Sequence, residues 1–258
     1  MQNNIFSGLF VGQNFVSLKQ VDSTNTFLKN LLSNSKPVPE GTVIMAEDQF
    51  AGRGQHQNVW HAEPGKNLTF SMLLYPNFLA ATAQFDLTRV ISLGVYDALA
   101  PLLRDNLFIK WPNDIYYENK KLSGMLIENS LQGSNIKSSV IGIGVNINQE
   151  HFGDNASRAT SVKQILQRDY DLKNILFDIC RHVETWYLKL KAGETNLIRA
   201  AYKQKLYLLN ETHNFVSNNE VFSGTIIGVT DAGLLEVERG NVTGTYNLKE
   251  IQYLTNNL

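Results

Sequence analysis

The sequence EDQFAGRGQHQNVW (residues 47–60) separates two apolar runs, at 41–46 and 67–75. Both runs are rich in Val, Ile, Leu, Phe and Thr and are bounded by Gly or Pro, a pattern that predicts β-strands. About twenty residues therefore join two strands of one sheet, and compact domains seldom contain so long a connection without a functional reason.

The composition of this loop suits an anionic ligand. Arg53 lies between Gly52 and Gly54, whose lack of a side chain lets the backbone approach a ligand closely. Several amides and one histidine are further hydrogen-bond donors, and no acid occurs between Asp48 and Glu63. A solvated surface loop is the alternative interpretation, and the loop alone does not distinguish the two.

Three motifs further along the chain narrow the choice. They are KWPND at 110–114, KLSGMLIE at 121–128 and IGIGVNIN at 141–148. In this order, and together with the Gly-Arg-Gly loop, they resemble the motifs of the biotin–protein ligases. The match is complete at 110–114, and the resemblance covers residues 17–206 well.

The expected fold class is α+β. Strands predicted between residues 107 and 146 are separated by short polar turns, which favours antiparallel pairing. The resemblance implies a mixed, largely antiparallel sheet flanked by helices, with residues 1–206 as the catalytic domain. From residue 207 to 258 the chain changes to short strands with turn signals, which predicts a small β-domain, SH3-like by resemblance.

Two long helices are predicted from apolar residues at spacings of three and four. The first spans 84–102, where Arg89 and Asp97 lie off the apolar stripe and are expected to be solvated. The second spans 172–190, where Cys180 lies beside the stripe and is expected to be a buried, inert thiol.

A predicted strand at 15–21 is followed by Ser23, Thr24 and Asn25 at the start of a helix. Such residues are typical N-caps, and a cap alone would explain them. Alternatively, their hydroxyls and backbone N–H groups bind an anionic or ureido group at the helix start. The resemblance favours ligand binding, because these residues match a biotin-contacting Ser-Thr-Asn segment.

The resemblance also implies the reaction. ATP, with Mg²⁺, activates the biotin carboxylate to biotinyl-5′-AMP and releases pyrophosphate. A specific lysine of a biotin carboxyl carrier domain, as in acetyl-CoA carboxylase, then accepts the biotinyl group and AMP leaves. Because carboxylate and phosphate repel each other, the enzyme must supply positive charge and position the reactants.

The candidate site residues follow from these motifs. Lys110 and Arg53 are the predicted catalytic cations, although a surface position is the more usual fate of a lysine. Asn113 and Asp114 are expected to orient Lys110 or the loop, and direct magnesium binding by Asp114 is the less favoured alternative. Trp60 either packs beside the ligand or anchors the core. Biotin contacts are predicted for Ser23, Thr24, Asn25, Gln49, Gly52, Arg53, Gly54, Gln55 and Lys110, and ATP or adenylate contacts for Arg53, Gln55, Trp60, Lys110 and Asn146.

The chain departs from the family pattern inside the loop. The family commonly has Gly-Arg-Gly-Arg-Arg-Gly-Arg before the tryptophan, whereas here the sequence after Gly54 is Gln-His-Gln-Asn. Gln55 therefore replaces an arginine that the resemblance assigns to holding the adenylate. Gln57, Asn58 or a backbone N–H group could compensate for the missing charge.

Whole-chain properties exclude several other classes. A net charge of −1 over 258 residues gives no basic excess for nucleic-acid binding. No apolar run is long enough to span a membrane, and no basic segment suggests a signal peptide. One cysteine permits no intrachain disulfide, which favours a cytoplasmic protein. We expect the protein to be a monomer or a homodimer. The five histidines lack zinc spacing, so no protein-bound metal site is predicted.

Three rival functions remain. A lipoate–protein ligase would share the fold and adenylate a different acid, but the 110–114 motif with Gln49 favours biotin. An octanoyl transferase would need a nucleophilic cysteine, and Cys180 is remote from these motifs. A biotin-responsive DNA-binding repressor would need an N-terminal helix-turn-helix domain, and the catalytic resemblance already begins near residue 17.

Overall fold

The computed structural model describes residues 8–34, 37–55, 58–153 and 158–254. Seven strands form its larger sheet: β1 (Phe15–Val21), β2 (Val43–Gln49), β3 (Leu68–Leu74), β4 (Leu107–Lys110), β5 (Asp114–Tyr117), β6 (Lys120–Gln132) and β7 (Asn135–Val145). Their order across the sheet is β1-β2-β3-β7-β6-β5-β4. The described residues also form five α-helices: α1 (Thr24–Ser33), α2 (Gln84–Leu103), α3 (Val162–Leu166), α4 (Leu172–Lys191) and α5 (Thr195–Gln204).

The pairing in this sheet follows from the lengths of the connections. β1 and β2 are parallel, and α1 provides the crossover that a parallel pair requires. The remaining neighbours are antiparallel, and tight turns join β4 through β7. The predicted fold class, α+β with a mixed, largely antiparallel sheet flanked by helices, is therefore confirmed.

Helices cover both faces of the larger sheet, because successive strand residues point to opposite sides. On β2, Val43 and Met45 join the main core, whereas Ile44 belongs to a smaller cluster with Leu28 of α1. α2 and α4 pack together on the main-core side. Gly94 allows this approach, since a Cβ there would lie 2.5 Å from the side chain of Val183.

The second sheet contains β8 (Thr212–Ser217), β9 (Glu220–Val229), β10 (Leu235–Arg239), β11 (Val242–Tyr246) and β12 (Gln252–Tyr253). Its order is β11-β10-β9-β8-β12, with antiparallel neighbours throughout. A small antiparallel sheet in this part of the chain is consistent with the SH3-like module expected from the sequence. The domain boundary at 206/207 stays a prediction.

The expectation that Arg89 is solvated was wrong. Only 1% of its side chain is exposed, and it donates hydrogen bonds to Asp86 at 2.6 Å and to the Thr230 carbonyl at 2.6 Å. The second sheet covers this side of α2, which helical periodicity could not reveal. Asp97 is likewise partly buried and accepts a hydrogen bond from the Trp186 indole at 2.8 Å.

Two further expectations concern burial. Cys180 is buried in α4, as predicted, and burial raises the pKa of its thiol, which keeps the thiol protonated and inert. Among the described residues, no helix is both long enough and apolar enough to cross a bilayer.

Candidate active site

A cavity of about 540 Å³ opens beside the loop that follows β2 and extends to the last residues of the second sheet. Most of the residues singled out in the sequence meet here. Those that line the cavity are Ser23, Thr24, Asn25, Gln49, Arg53, Gly54, Gln55, Trp60, Lys110, Asn113 and Asp114. Gly52 and Asn146 are not among the lining residues. His56 and Gln57 lie outside the described residues.

One part of the cavity is built from neutral polar groups at the start of α1. The Gln49 side-chain oxygen accepts hydrogen bonds from the Thr24 backbone N–H at 2.9 Å and from its hydroxyl at 3.1 Å. Ser71 donates to the Thr24 hydroxyl oxygen at 2.7 Å. Ser23 occupies the N-cap position but makes no side-chain capping hydrogen bond. A helix cap alone therefore does not explain this segment.

The glycines of β7 let two site residues approach the sheet closely. A Cβ at Gly142 would lie 2.6 Å from the Asn25 side-chain oxygen, and one at Gly144 would collide with the Trp60 ring. The Trp60 ring lies against β7 and borders the cavity, and its predicted ligand contact stays a prediction. Its indole nitrogen is buried and has no hydrogen-bond partner among the described residues.

Arg53 is held at the cavity by an acid on β6. Its guanidinium lies 3.2 Å from Glu128, which also pairs with Lys29 at 2.7 Å and accepts from Asn25 at 2.8 Å. Burial acts to raise the pKa of the Glu128 carboxyl, but the hydrogen bonds from Lys29 and Asn25 outweigh burial and hold that pKa below its usual value. Partly exposed ion pairs contribute little stability, so a ligand anion could displace Glu128 from Arg53 at low cost.

Gly52 closes the same loop without lining the cavity. Its carbonyl accepts from the Trp60 backbone N–H at 3.0 Å, and an antiparallel bridge joins Arg53 to Val59. A Cβ at Gly52 would collide with the Trp60 carbonyl, so the loop requires glycine here.

Lys110 ends β4 with its ammonium among aromatic groups. Its nitrogen donates to the Tyr116 hydroxyl at 3.1 Å and lies 4.6 Å and 4.7 Å from the ring centroids of Tyr116 and Tyr253. Burial lowers the pKa of Lys110, while the Asp114 carboxylate partly offsets that effect. Within the described residues Lys110 forms no salt bridge, so its charge is not neutralised by a carboxylate.

The two residues expected to orient Lys110 have other partners. The Asn113 side chain is buried and donates to the Met125 carbonyl of β6, which fixes the turn after β4 to the sheet. Asp114 pairs with Lys121 at 2.7 Å, although Asp114 also stands opposite Lys110 in the strand register.

Asn146 lies behind the cavity. It is buried, its side chain donates to the Thr160 carbonyl at 3.0 Å, and its backbone N–H donates to the Leu122 carbonyl at 2.9 Å. In this arrangement the side chain holds the chain after β7 in place. Its predicted nucleotide contact stays a prediction.

Sequence reasoning overlooked several residues that line the cavity. Lys121 places a second ammonium near Lys110, and Gly124 leaves the room for it, since a Cβ there would lie 3.0 Å from the Lys121 nitrogen. Lys121 opens the quoted 121–128 motif, so the signal was present and unassigned. Lys249 and Tyr253 also line the cavity from the second sheet, where no motif marked them.

Comparisons with known proteins agree with this geometry. The model of the biotin/lipoate A/B protein ligase family matches residues 17–146. The bifunctional ligase/repressor BirA of Bacillus spizizenii is 30% identical over 234 residues, which cover 88% of this chain and 70% of the relative. The biotin–[acetyl-CoA-carboxylase] ligase of Paracoccus denitrificans is 35% identical over 134 residues, covering 50% of this chain and 53% of the relative.

A solved structure shares nearly the whole fold. It is the biotin protein ligase from Aquifex aeolicus in complex with biotin and ATP, with a TM-score of 0.77 and 28% sequence identity. The alignment covers 93% of this chain and 97% of that protein, so it includes both sheets.

Proposed function

This chain belongs to the biotin/lipoate A/B protein ligase family, and we propose on that premise that it is a biotin–protein ligase. It activates biotin with ATP to biotinyl-5′-AMP and pyrophosphate. It then transfers the biotinyl group to a lysine of a biotin carboxyl carrier domain, and AMP is released. A single cysteine and a need for ATP both fit action in the cytoplasm.

The observation that carries this proposal is that neutral hydrogen-bonding side chains and an ammonium group line the same cavity. Thr24, Asn25 and Gln49 offer neutral donors and acceptors, which suit a ureido ring. Lys110 offers an ammonium without a carboxylate partner among the described residues, which suits a carboxylate and a phosphate brought together.

The roles of the cations follow from this arrangement. As the biotin carboxylate oxygen attacks the α-phosphorus, negative charge concentrates on the reacting oxygens. Lys110 stabilises that charge in a partly dry site, where one charge interaction has more effect than in water. Arg53, once released from Glu128, binds phosphate or carboxylate through its planar fork. Asp114 holds Lys121 in place beside them.

Magnesium would arrive with ATP. Among the described residues there is no group of three or more His, Cys, Asp or Glu side chains that could hold a metal ion. Asp114, the carboxylate nearest to Lys110 along the strand pair, is already paired with Lys121. The donor set therefore fits an ion held mainly by the ATP phosphates, where it would offset their charge.

Exchange of labelled pyrophosphate into ATP tests the proposed function. We expect exchange that depends on biotin and is absent without an acid or with lipoate. A lipoate-dependent exchange that exceeds the biotin-dependent rate would reassign the enzyme to lipoate. Exchange with neither acid would refute adenylation by this cavity.

The pH dependence of adenylation should report Lys110. Because the charged ammonium is required and burial lowers its pKa, activity is lost as pH rises through a value below that of an ordinary lysine. In Lys110→Arg the side chain stays charged throughout, so the alkaline limb of the kcat profile should move to higher pH, whatever the absolute rate. An alkaline limb at the same pH in both proteins would show that another group titrates.

The loop residue Gln55 should set how long the intermediate stays bound. Gln55 lines the cavity where the family commonly has arginine. Gln55→Arg adds one charge-assisted contact, about 1.5–3 kcal/mol, and should slow release of biotinyl-AMP by about tenfold or more. Gln204→Arg adds the same charge at the end of α5 and is the control. An unchanged or faster stopped-flow release rate in Gln55→Arg would mean that other contacts retain the intermediate.

A further inference from the structure

The second sheet contributes an aromatic ring to the site around Lys110. Tyr253 lies on β12, and the Lys110 nitrogen lies 4.7 Å from the centroid of its ring. Tyr116 of β5 stands close to the same ammonium, with its ring centroid at 4.6 Å. The cation is thus in contact with two aromatic rings, one from each sheet, and aromatic faces attract cations most strongly where water is excluded.

Tyr253 is fixed in place by the second sheet and not by its own hydroxyl. β12 pairs with β8, where Tyr253 stands opposite Phe215, and their ring centroids are 5.4 Å apart. Tyr207 lies on another side, at 6.3 Å. The Tyr253 hydroxyl is buried and has no hydrogen-bond partner among the described residues. Ring contacts, and not a hydrogen bond of the hydroxyl to a described residue, therefore hold this side chain in place.

The second sheet is itself anchored next to Lys110. The Trp111 indole donates to the Gly233 carbonyl at 2.9 Å, and Arg89 donates to the Thr230 carbonyl at 2.6 Å. Both donors are buried residues of the part of the chain that carries the larger sheet. These bonds fix the position from which Tyr253 reaches Lys110.

The charged groups around Lys110 act on its ammonium in opposite directions. Asp114 stands opposite Lys110 across the β4–β5 pair, and its attraction favours the ammonium form. Lys121 and Arg158 act in the opposite sense. Although an acid is this near, the Lys110 nitrogen binds the Tyr116 hydroxyl and makes no salt bridge with a described carboxylate. Asp114 is paired with Lys121 at 2.7 Å, whereas the Lys110 ammonium lies against the two rings and lines the cavity.

We propose that Tyr253 is a positioning residue for adenylation, whose ring holds the Lys110 ammonium toward the ligand and apart from Asp114. The inference rests on the proposed role of Lys110 and extends it to the second sheet. It gives β12 a part in adenylation, the first chemical step, because the Tyr253 ring sets the position and the hydration of the Lys110 ammonium.

Three variants test this. Tyr253→Leu removes the ring, Tyr253→Phe keeps it, and Tyr246→Leu removes a ring of β11 that stacks on Phe222, away from the cavity. Biotin-dependent exchange is measured across pH for each. In parallel, competitive acetylation of Lys110, read by mass spectrometry, gives the pKa of its amine without requiring catalysis.

Tyr253→Leu should lower kcat about tenfold and leave the KM for biotin unchanged. With the ring gone, the ammonium is hydrated or reaches Asp114. Loss of the aromatic contact by itself lowers the pKa of Lys110, but hydration of the ammonium or a salt bridge with Asp114 raises that pKa by more, so the pKa of Lys110 and the alkaline limb should rise together. Tyr253→Phe should recover most of the kcat that Tyr253→Leu loses and keep the parent's pKa for Lys110, and Tyr246→Leu should leave the pKa of Lys110 unchanged. If Tyr253→Leu does not unfold cooperatively on heating as the parent does, the same measurements are made on Tyr253→Met.

The inference is overturned if the ring-less variant keeps the parent's kcat and the parent's pKa for Lys110. Equal losses in Tyr253→Phe and Tyr253→Leu would also overturn it, because the hydroxyl would then be the active part. If Tyr246→Leu showed the same changes, they would result from general damage to the second sheet and not from loss of the Tyr253 ring. A parent enzyme without biotin-dependent exchange would instead contradict the proposed function, and the acetylation data would still report whether Tyr253 controls Lys110.

Discussion

Replacing Lys110 by alanine should slow biotin-dependent pyrophosphate exchange by about tenfold to a hundredfold. The ammonium offsets the repulsion between the biotin carboxylate and the α-phosphate, and a charged hydrogen bond contributes about 1.5–3 kcal/mol. Because the cavity is partly closed to water, the loss should lie toward the upper end of that range. The free energy of unfolding should change little, since Lys110 forms no salt bridge within the described residues.

Lys205→Ala is the matched control for Lys110→Ala. The Lys205 nitrogen also lies over a tyrosine ring, 3.9 Å from the centroid of Tyr96, but Lys205 is not among the residues that line the cavity. Exchange in this variant should equal that of the parent. Equal rates for Lys110→Ala and Lys205→Ala would remove Lys110 from the reaction.

Arg89→Met should lower the free energy of unfolding by about 3–5 kcal/mol. The guanidinium and its partner Asp86 are each 1% exposed, so the substitution leaves a buried carboxylate with less compensation. It also removes the hydrogen bond to the Thr230 carbonyl, which links α2 to the second sheet. Arg199 still pairs with Asp86 at 2.9 Å, so the loss should not exceed this range. Urea unfolding measures the change.

Arg181→Met separates the effect of burial from the effect of losing a pair. Arg181 and Asp178 have the same spacing of three residues, but their side chains are 51% and 54% exposed. Exposed pairs contribute about 0–1 kcal/mol, so this variant should be nearly as stable as the parent. If Arg89→Met cost no more than Arg181→Met, the second sheet would not depend on the buried pair.

The elements that sequence predicted well are those determined by local signals. The strand expected at 15–21 is observed as Phe15–Val21, because alternation and the polar residues after it define both ends. The helix predicted at 84–102 ends one residue later, at Leu103. The motif at 110–114 located Lys110 for the same reason, since its residues are contiguous in the chain.

The features that could not be predicted from the sequence depend on contacts between distant segments. Arg89 lies off the apolar stripe of α2, and its burial depends on Asp86 in the same helix together with the carbonyl of Thr230, 141 residues later. Tyr253 sits in a strand of two residues, too short for any periodic pattern, yet it lines the cavity. The Asn146 amide binds the Thr160 carbonyl, a contact that its motif did not indicate, and its predicted nucleotide contact stays a prediction.

The most direct test of the central claim is to observe the intermediate in one turnover. The enzyme is mixed with biotin and ATP labelled at the α-phosphate, and the products are separated by chromatography. We expect labelled biotinyl-AMP that requires biotin, decreases strongly in Lys110→Ala and disappears when a biotin carboxyl carrier domain is added. Labelled AMP or ADP without biotinyl-AMP, or an adenylate that forms with lipoate and not with biotin, would contradict it.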